Sequence, residues 1–153
     1  MRHGDAPYIS GERQLSESGH KQVKRMAVLF EQQLTKLSVK LDLVLTSPLL
    51  RAQQTADTLE ASLSDKLGYQ WKRQNEALLK PESESSITIP YIEEVTEGNV
   101  ILISHMPLVS SLWSAWLHGE SQYFPTASIG CITLDRDKNA RKVSFQSPDM
   151  YEF

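Results

Sequence analysis

Apolar residues recur at intervals of three and four between Ser16 and Leu37, at Val23, Met26, Ala27, Phe30, Leu34 and Leu37. This spacing predicts a long amphipathic helix with one buried face, and Ser16 suits its N-cap. Leu41 to Thr46 is a short β-rich run and predicts a strand. Ser47-Pro48 then reads as an N-cap followed by proline in the first turn, opening a helix through Ala52, Ala56, Leu59 and Leu63. Tyr69-Gln70-Trp71 predicts a weak strand after Gly68. Lys80 to Ser86 is the most polar stretch and reads as a surface loop or a loose helix start, and Pro90 and Gly98 punctuate the residues after it. Val100 to Ser104 is nearly continuous in apolar residues, as a strand covered on both faces requires. Leu108 to Leu117 predicts an apolar helix stopped by Gly119. Ser128 to Leu134 and Lys142 to Gln146 predict a hairpin turning at Asp135 to Asn139. Strand and helix alternate, so the expected fold class is α/β, a three-layer α/β/α sandwich with a mainly parallel sheet.

Composition narrows this picture without redirecting it. The 153 residues are 40% hydrophobic and 23% charged, as in an ordinary soluble domain, and suggest one domain over residues 1–153. Sixteen basic against nineteen acidic residues give a net charge of −3, a poor match to a nucleic-acid binder. Cys131 is the sole cysteine, which excludes an internal disulfide and a cysteine-rich metal site and suits a reducing cytoplasm. No apolar run is long enough to span a bilayer and no apolar h-region follows Met1, so neither a membrane anchor nor a signal peptide is expected.

In parallel sheets ligands bind beyond the carboxyl ends of the strands, and three such ends carry unusual chemistry. They are Arg2-His3-Gly4-Asp5, the run Ser47-Pro48-Leu49-Leu50-Arg51-Ala52, and Ser104-His105-Met106-Pro107. Two arginines and two histidines facing one crevice of a net-acidic chain point to a small polyanion, and phosphate is the simplest. Arg51 would lie in the first turn of a helix, whose amides and dipole also favour an anion. Positive neighbours favour a neutral imidazole, and a neutral imidazole is a competent nucleophile at phosphorus. Gly4 would let the backbone bend after His3 and let a ligand approach closely. A second, protonated histidine would stabilise the oxygens of the transition state.

Arg2-His3-Gly4, Arg51-Ala52-x-Gln54-Thr55 and Ser104-His105-x-Pro107, in that order, resemble the histidine phosphatase superfamily. Arg2-His3-Gly4-Asp5-Ala6, Ile103-Ser104-His105-Met106-Pro107 and the late run Ala127 to Asp135 most resemble its small phosphohistidine phosphatases of the SixA kind. The resemblance implies a phosphoglycerate mutase-like sandwich, with His3 as the phosphorylated nucleophile and Arg2, Arg51 and His105 as its phosphate pocket. Ser47 could also reach the phosphate. It implies no metal and no cofactor. It implies as partners free phosphate and a phosphorylated histidine phosphotransfer domain of cytoplasmic signalling, with neither nucleic acid nor membrane. Met1 directly precedes Arg2, where family members have a hydrophobic strand, so that strand looks truncated and His3 is expected to be poorly anchored. Glu76 is a candidate proton donor by position only.

Plainer readings stand beside these. His3, Arg51 or His105 taken singly would be a solvated or structural side chain; the three motifs together reverse that. His20 and His118 read as surface or helix-end residues, and Asp5 as shaping a turn. Cys131, Trp113 and Trp116 read as core, and Thr55 as capping and packing. Two other functions remain open: a small-molecule phosphomonoesterase or mutase, for which Lys72, Arg73 and Lys80 are the candidate specificity cations, and a non-catalytic phosphoprotein-binding module.

Overall fold

The computed structural model describes residues 1–150; the last residues of the expected 1–153 domain lie outside the described residues. Three parallel strands form the centre, β3 (Leu43–Thr46), β4 (Lys72–Asn75) and β5 (Val100–Ile103), in the order β4-β3-β5. Leu43 pairs with Lys72 on one side and with Val100 on the other. Arg2 bridges Ser104 in parallel beyond β5, and its N–H reaches Ser128 O at 3.0 Å, at the foot of the antiparallel hairpin β6 (Ile129–Leu134) and β7 (Ala140–Gln146).

The strand residues alternate between two layers of helix, as the pleat demands. Val44, Ile101 and Ile103 pack with Val23, Met26 and Leu34 of α1 (Glu17–Leu37) and with Ala52, Ala56, Leu59 and Leu63 of α2 (Leu50–Ser64). Leu43, Leu45, Val100 and Leu102 instead meet Ile92 of α3 (Ser85–Val95). Helix α4 (Leu108–Trp116) lies beside α3, and its Trp116 Nε1 donates to Glu93 Oε1 at 2.9 Å. The expected three-layer sandwich is therefore the one formed.

Ser16 caps α1 as expected, its Oγ accepting the Gly19 N–H at 2.9 Å. The other boundaries differ from the sequence expectation in four places. Ser47 does not cap α2; Leu49 stands at that position with no side-chain cap, and Ser47 faces elsewhere. The weak strand lies at Lys72–Asn75, because Tyr69 and Trp71 turn into the α1–α2 core instead of pairing. Helix α3 forms through Pro90: buried Ile92 packs on the sheet, and buried Thr88 donates its Oγ1 hydrogen to Leu78 O at 2.8 Å. A small hairpin, β1 (Tyr8–Ile9) and β2 (Glu12–Arg13), turns through Ser10 and Gly11. Both turn residues have positive φ, 53° and 86°, the signature of a type I′ turn.

Candidate active site

Residues 1–3 run along β5, and this run fixes His3. The His3 N–H donates to Ser104 O at 3.1 Å, and the Ser104 N–H donates to Met1 O at 2.9 Å. The imidazole is 2% exposed. The expected loose attachment of His3 is thus not found: backbone pairing on both sides of Arg2 does the work of a longer strand. The Met1 nitrogen sits in the same ladder, 2.7 Å from Leu102 O.

His3 Nδ1 lies 2.7 Å from Gly4 O. A carbonyl only accepts, so Nδ1 carries the proton and Nε2 keeps its lone pair. Burial pushes the His3 pKa down to about 4, and the guanidiniums of Arg51, Arg2 and Arg13 add to that effect, outweighing the Gly4 hydrogen bond. The ring is neutral at pH 7 and fixed in one tautomer, as a nitrogen nucleophile requires.

Gly4 serves a different purpose from the one expected. A Cβ there would lie 2.9 Å from Gly19 O and 3.1 Å from Leu15 and Val23, so the glycine admits α1 to the turn instead of admitting a ligand. The Gly4 N–H donates to Thr55 Oγ1 at 3.1 Å, and Thr55 Oγ1 donates to Arg51 O at 2.8 Å. Buried Thr55 therefore couples the turn after His3 to the start of α2, a positioning role that packing alone did not suggest. Asp5 shapes the turn as expected, its Oδ2 accepting from Ser16 Oγ at 2.6 Å.

The His105 ring stands 5.1 Å from that of His3, between centroids. Its Nε2 and Ser47 Oγ are 2.7 Å apart, which places Ser47 beside the two histidines. Burial holds the His105 pKa down to about 3, helped by His3, Arg51, Arg13 and Arg2. In the free site this 1% exposed imidazole among guanidiniums stays neutral. A bound phosphate dianion would act in the opposite sense.

Arg2 Nη1 donates to Phe124 O at 2.9 Å and to Tyr123 Oη at 3.2 Å. Arg2 Nε, Arg51 Nε and His105 Nδ1 are buried with no hydrogen-bond partner among the described residues. Burial, then the charge of Arg13, lowers the Arg51 pKa. Orphaned donors of this kind are costly, and a tetrahedral oxyanion would answer them. Arg13 is the cation that the sequence pattern did not reveal. Its Nε donates to Ala6 O at 2.9 Å, and its charge reaches His3, Arg51 and His105. The only signal for it was the Ser10-Gly11 dipeptide, which marks the turn that folds Arg13 back.

Other candidates have partners of their own. The Glu76 carboxylate accepts the Leu78 N–H at 2.9 Å and raises the pKa of Tyr91, so it is engaged as a turn cap. Arg73 pairs with Asp57 and with Glu60. His20 Nδ1 and Thr58 Oγ1 are hydrogen-bonded at 2.8 Å across α1 and α2, and His118 is exposed after α4. Trp113 is core as expected, whereas Trp116 and Cys131 are only part-buried. Among the described residues no three His, Cys, Asp or Glu side chains converge on a metal site, and no helix is long and apolar enough to cross a membrane.

Known proteins resemble this chain in both sequence and fold. The sequence pattern of the histidine phosphatase superfamily (branch 1) matches residues 1–78. The phosphohistidine phosphatase SixA of Escherichia coli (strain K12) is 32% identical over 146 residues, 91% of this chain and 86% of that protein. The phosphohistidine phosphatase SixA homolog of Haemophilus influenzae is 29% identical over 161 residues, 99% of this chain and 96% of that protein. The solved structure of the protein histidine phosphatase SixA complexed with tungstate is similar with a TM-score of 0.81 at 30% identity, over 98% of this chain and 96% of that one.

Proposed function

Because this chain belongs to the histidine phosphatase superfamily, we propose that it is a phosphohistidine phosphatase working through His3. The observation that carries this reading is the buried, Nδ1-protonated imidazole of His3 beside guanidinium nitrogens that lack partners. A relative of the same fold is known in complex with tungstate, a tetrahedral oxyanion, which supports an oxyanion ligand for this chain.

In the first step the His3 Nε2 lone pair attacks phosphorus. The P–N bond to the substrate imidazole breaks, and the departing nitrogen takes a proton from solvent. In the second step water attacks the phosphoryl group on His3 and returns one proton to solvent. The P–Nε2 bond breaks, phosphate leaves and His3 is restored with its Nε2 lone pair. Arg2 and Arg51 hold the non-bridging oxygens in both steps, and His105, oriented by Ser47, gives them a further contact. A phosphoramidate nitrogen leaves readily once protonated, so the reaction does not require Glu76 as an acid. The substrate is a phosphorylated histidine phosphotransfer domain, and the setting is cytoplasmic phosphotransfer signalling, with residues 1–153 acting as one unit.

The test measures phosphate release from a phosphorylated histidine phosphotransfer domain and from a panel of sugar phosphates. Fast release from the protein alone, through an acid-labile, alkali-stable phosphoenzyme, is expected. Release from sugar phosphates alone, or binding without turnover, would replace this reading with one of the two alternatives.

A further inference from the structure

Exposed apolar and aromatic side chains accompany the arginines of the site: Tyr8 pairs with Arg13, Tyr123 meets Arg2, Leu50 precedes Arg51 in the chain, and Ile9 extends the β1–β2 hairpin opposite Glu12. Tyr8 is 78% exposed and lies opposite Arg13 in the β1–β2 register. Ile9, 39% exposed, follows it at the hairpin tip. Leu50 is 36% exposed and immediately precedes Arg51. Tyr123 is 63% exposed, and its hydroxyl meets Arg2 Nη1 at 3.2 Å. A second exposed apolar row, Ile87, Tyr91 and Val95, lies on α3, where Tyr91 meets the Glu76 carboxylate instead of an arginine.

We propose that Tyr8, Ile9, Leu50 and Tyr123 form the docking collar for a folded protein that presents its phosphohistidine at the centre of an acidic and apolar patch. This rests on the phosphohistidine reading above. His3 and His105 are 2% and 1% exposed, so a phosphoryl group reaches Nε2 only at the end of an inserted side chain. One imidazole side chain is short. The partner backbone that carries it must therefore come down onto whatever rings the mouth. That ring holds large amphipathic and apolar groups of the kind that dominate interface energetics. Arg2, Arg13 and Arg51 stand beside Tyr8 and Tyr123, in a chain whose net charge is −3. The positive field is thus local to the mouth, and it selects a partner with acidic groups around the histidine.

The experiment compares two substrates that share the P–N bond, a phosphorylated histidine phosphotransfer domain and inorganic phosphoramidate. Tyr8→Ala should lower kcat/KM for the protein about tenfold, mostly through KM, as loss of an interface aromatic does. Ile9→Ser should lower it by roughly threefold to fivefold. Turnover of phosphoramidate should stay within about twofold of wild type in both variants, which also shows that they are folded. An equal fall on both substrates, or no fall on the protein, overturns the collar while leaving the phosphatase intact. If the wild-type enzyme cleaves phosphoramidate but no phosphorylated protein, the proposed function fails first and the collar with it.

Discussion

Two arginines that both bear on α2 have opposite surroundings. Arg73, reaching in from β4, bonds Asp57, Glu60 and the side chain of Gln53, and Glu60 also accepts from Trp71 Nε1. Its charge is cancelled where it stands. Arg51, in the first turn of the same helix, has an orphaned Nε; Arg13, Arg2 and two histidines act on it, and Glu82 offsets them only in part. The difference separates a guanidinium that closes a structure from one that is completed by an anion. A site of the second kind lowers stability in the empty protein, and the lost stability is recovered as binding and catalysis.

The sharpest way to break the contrast is at His3. His3→Ala should lower turnover by on the order of 10⁵-fold, since removing a nucleophile disables the whole catalytic unit. The measurement is single-turnover phosphate release, and persistence of an acid-labile phosphoenzyme in the variant would remove His3 from the mechanism. Next comes Arg51→Ala, expected to lower kcat/KM by about 10²-fold through loss of one charge-assisted contact to the transition state. The same variant should unfold at an equal or higher denaturant midpoint, because repulsion among Arg2, Arg13 and Arg51 is relieved. A lower midpoint would mean that Arg51 is structural after all.

The depressed histidines predict the pH behaviour. His3 titrates near 4 when folded, against an ordinary value of 6.5. Between these values the unfolded chain binds the proton and the folded one does not. The stability gained from the neutral ring is therefore complete above about pH 6.5, falls as the pH drops toward 4, and is gone below it. The loss from His3 is about 3 kcal/mol, before the similar effect of His105. Urea unfolding at pH 7.5 and 5.0, with and without 10–50 mM phosphate (a range on the order of the excess needed for near-saturation), should show the drop and its partial reversal by the bound anion. The acid limb of kcat/KM should lie near pH 4. A limb near 6.5 would mean that burial and the arginines do not act on His3.

Much of the site was readable because its four main residues stand where strands end, and the buried strand Val100–Ile103 announces itself by composition. The alternation of layers followed from the same runs. What escaped had no local pattern to show. Strand β4 is Lys-Arg-Gln-Asn, held by backbone pairing to β3 and by polar bonds of Arg73 and Asn75 to α2, with no apolar alternation to reveal it. Helix α3 contains Pro90, and its stability comes from packing against the sheet. The strands of the β1–β2 hairpin are two residues each, too short to alternate, so Arg13 went unseen. The neutrality of His105 depends on burial by residues remote in sequence, and only the fold assembles them.

The smallest expected effect tests the other half of the contrast. Arg73 was a candidate specificity cation, yet its side chain is about one-quarter exposed and faces two carboxylates. Arg73→Ala removes a partly exposed network, whose pairs contribute about 0.2–1 kcal/mol each, and leaves Glu60 still bonded to Trp71. The expected stability loss is therefore about 1 kcal/mol, with kcat/KM unchanged on phosphoramidate and on the phosphorylated protein. Raising the salt to 1 M, where screening extends over only about 3 Å, should weaken the same pairs in the wild type and narrow the gap between the two proteins. Arg73 is one hydrogen bond from Gln53, whose Nε2 donates to Ser47 O at 2.8 Å. If Arg73→Ala instead lowers kcat with little change in stability, that chain transmits position to Ser47 and His105, and the two arginines belong to one machine.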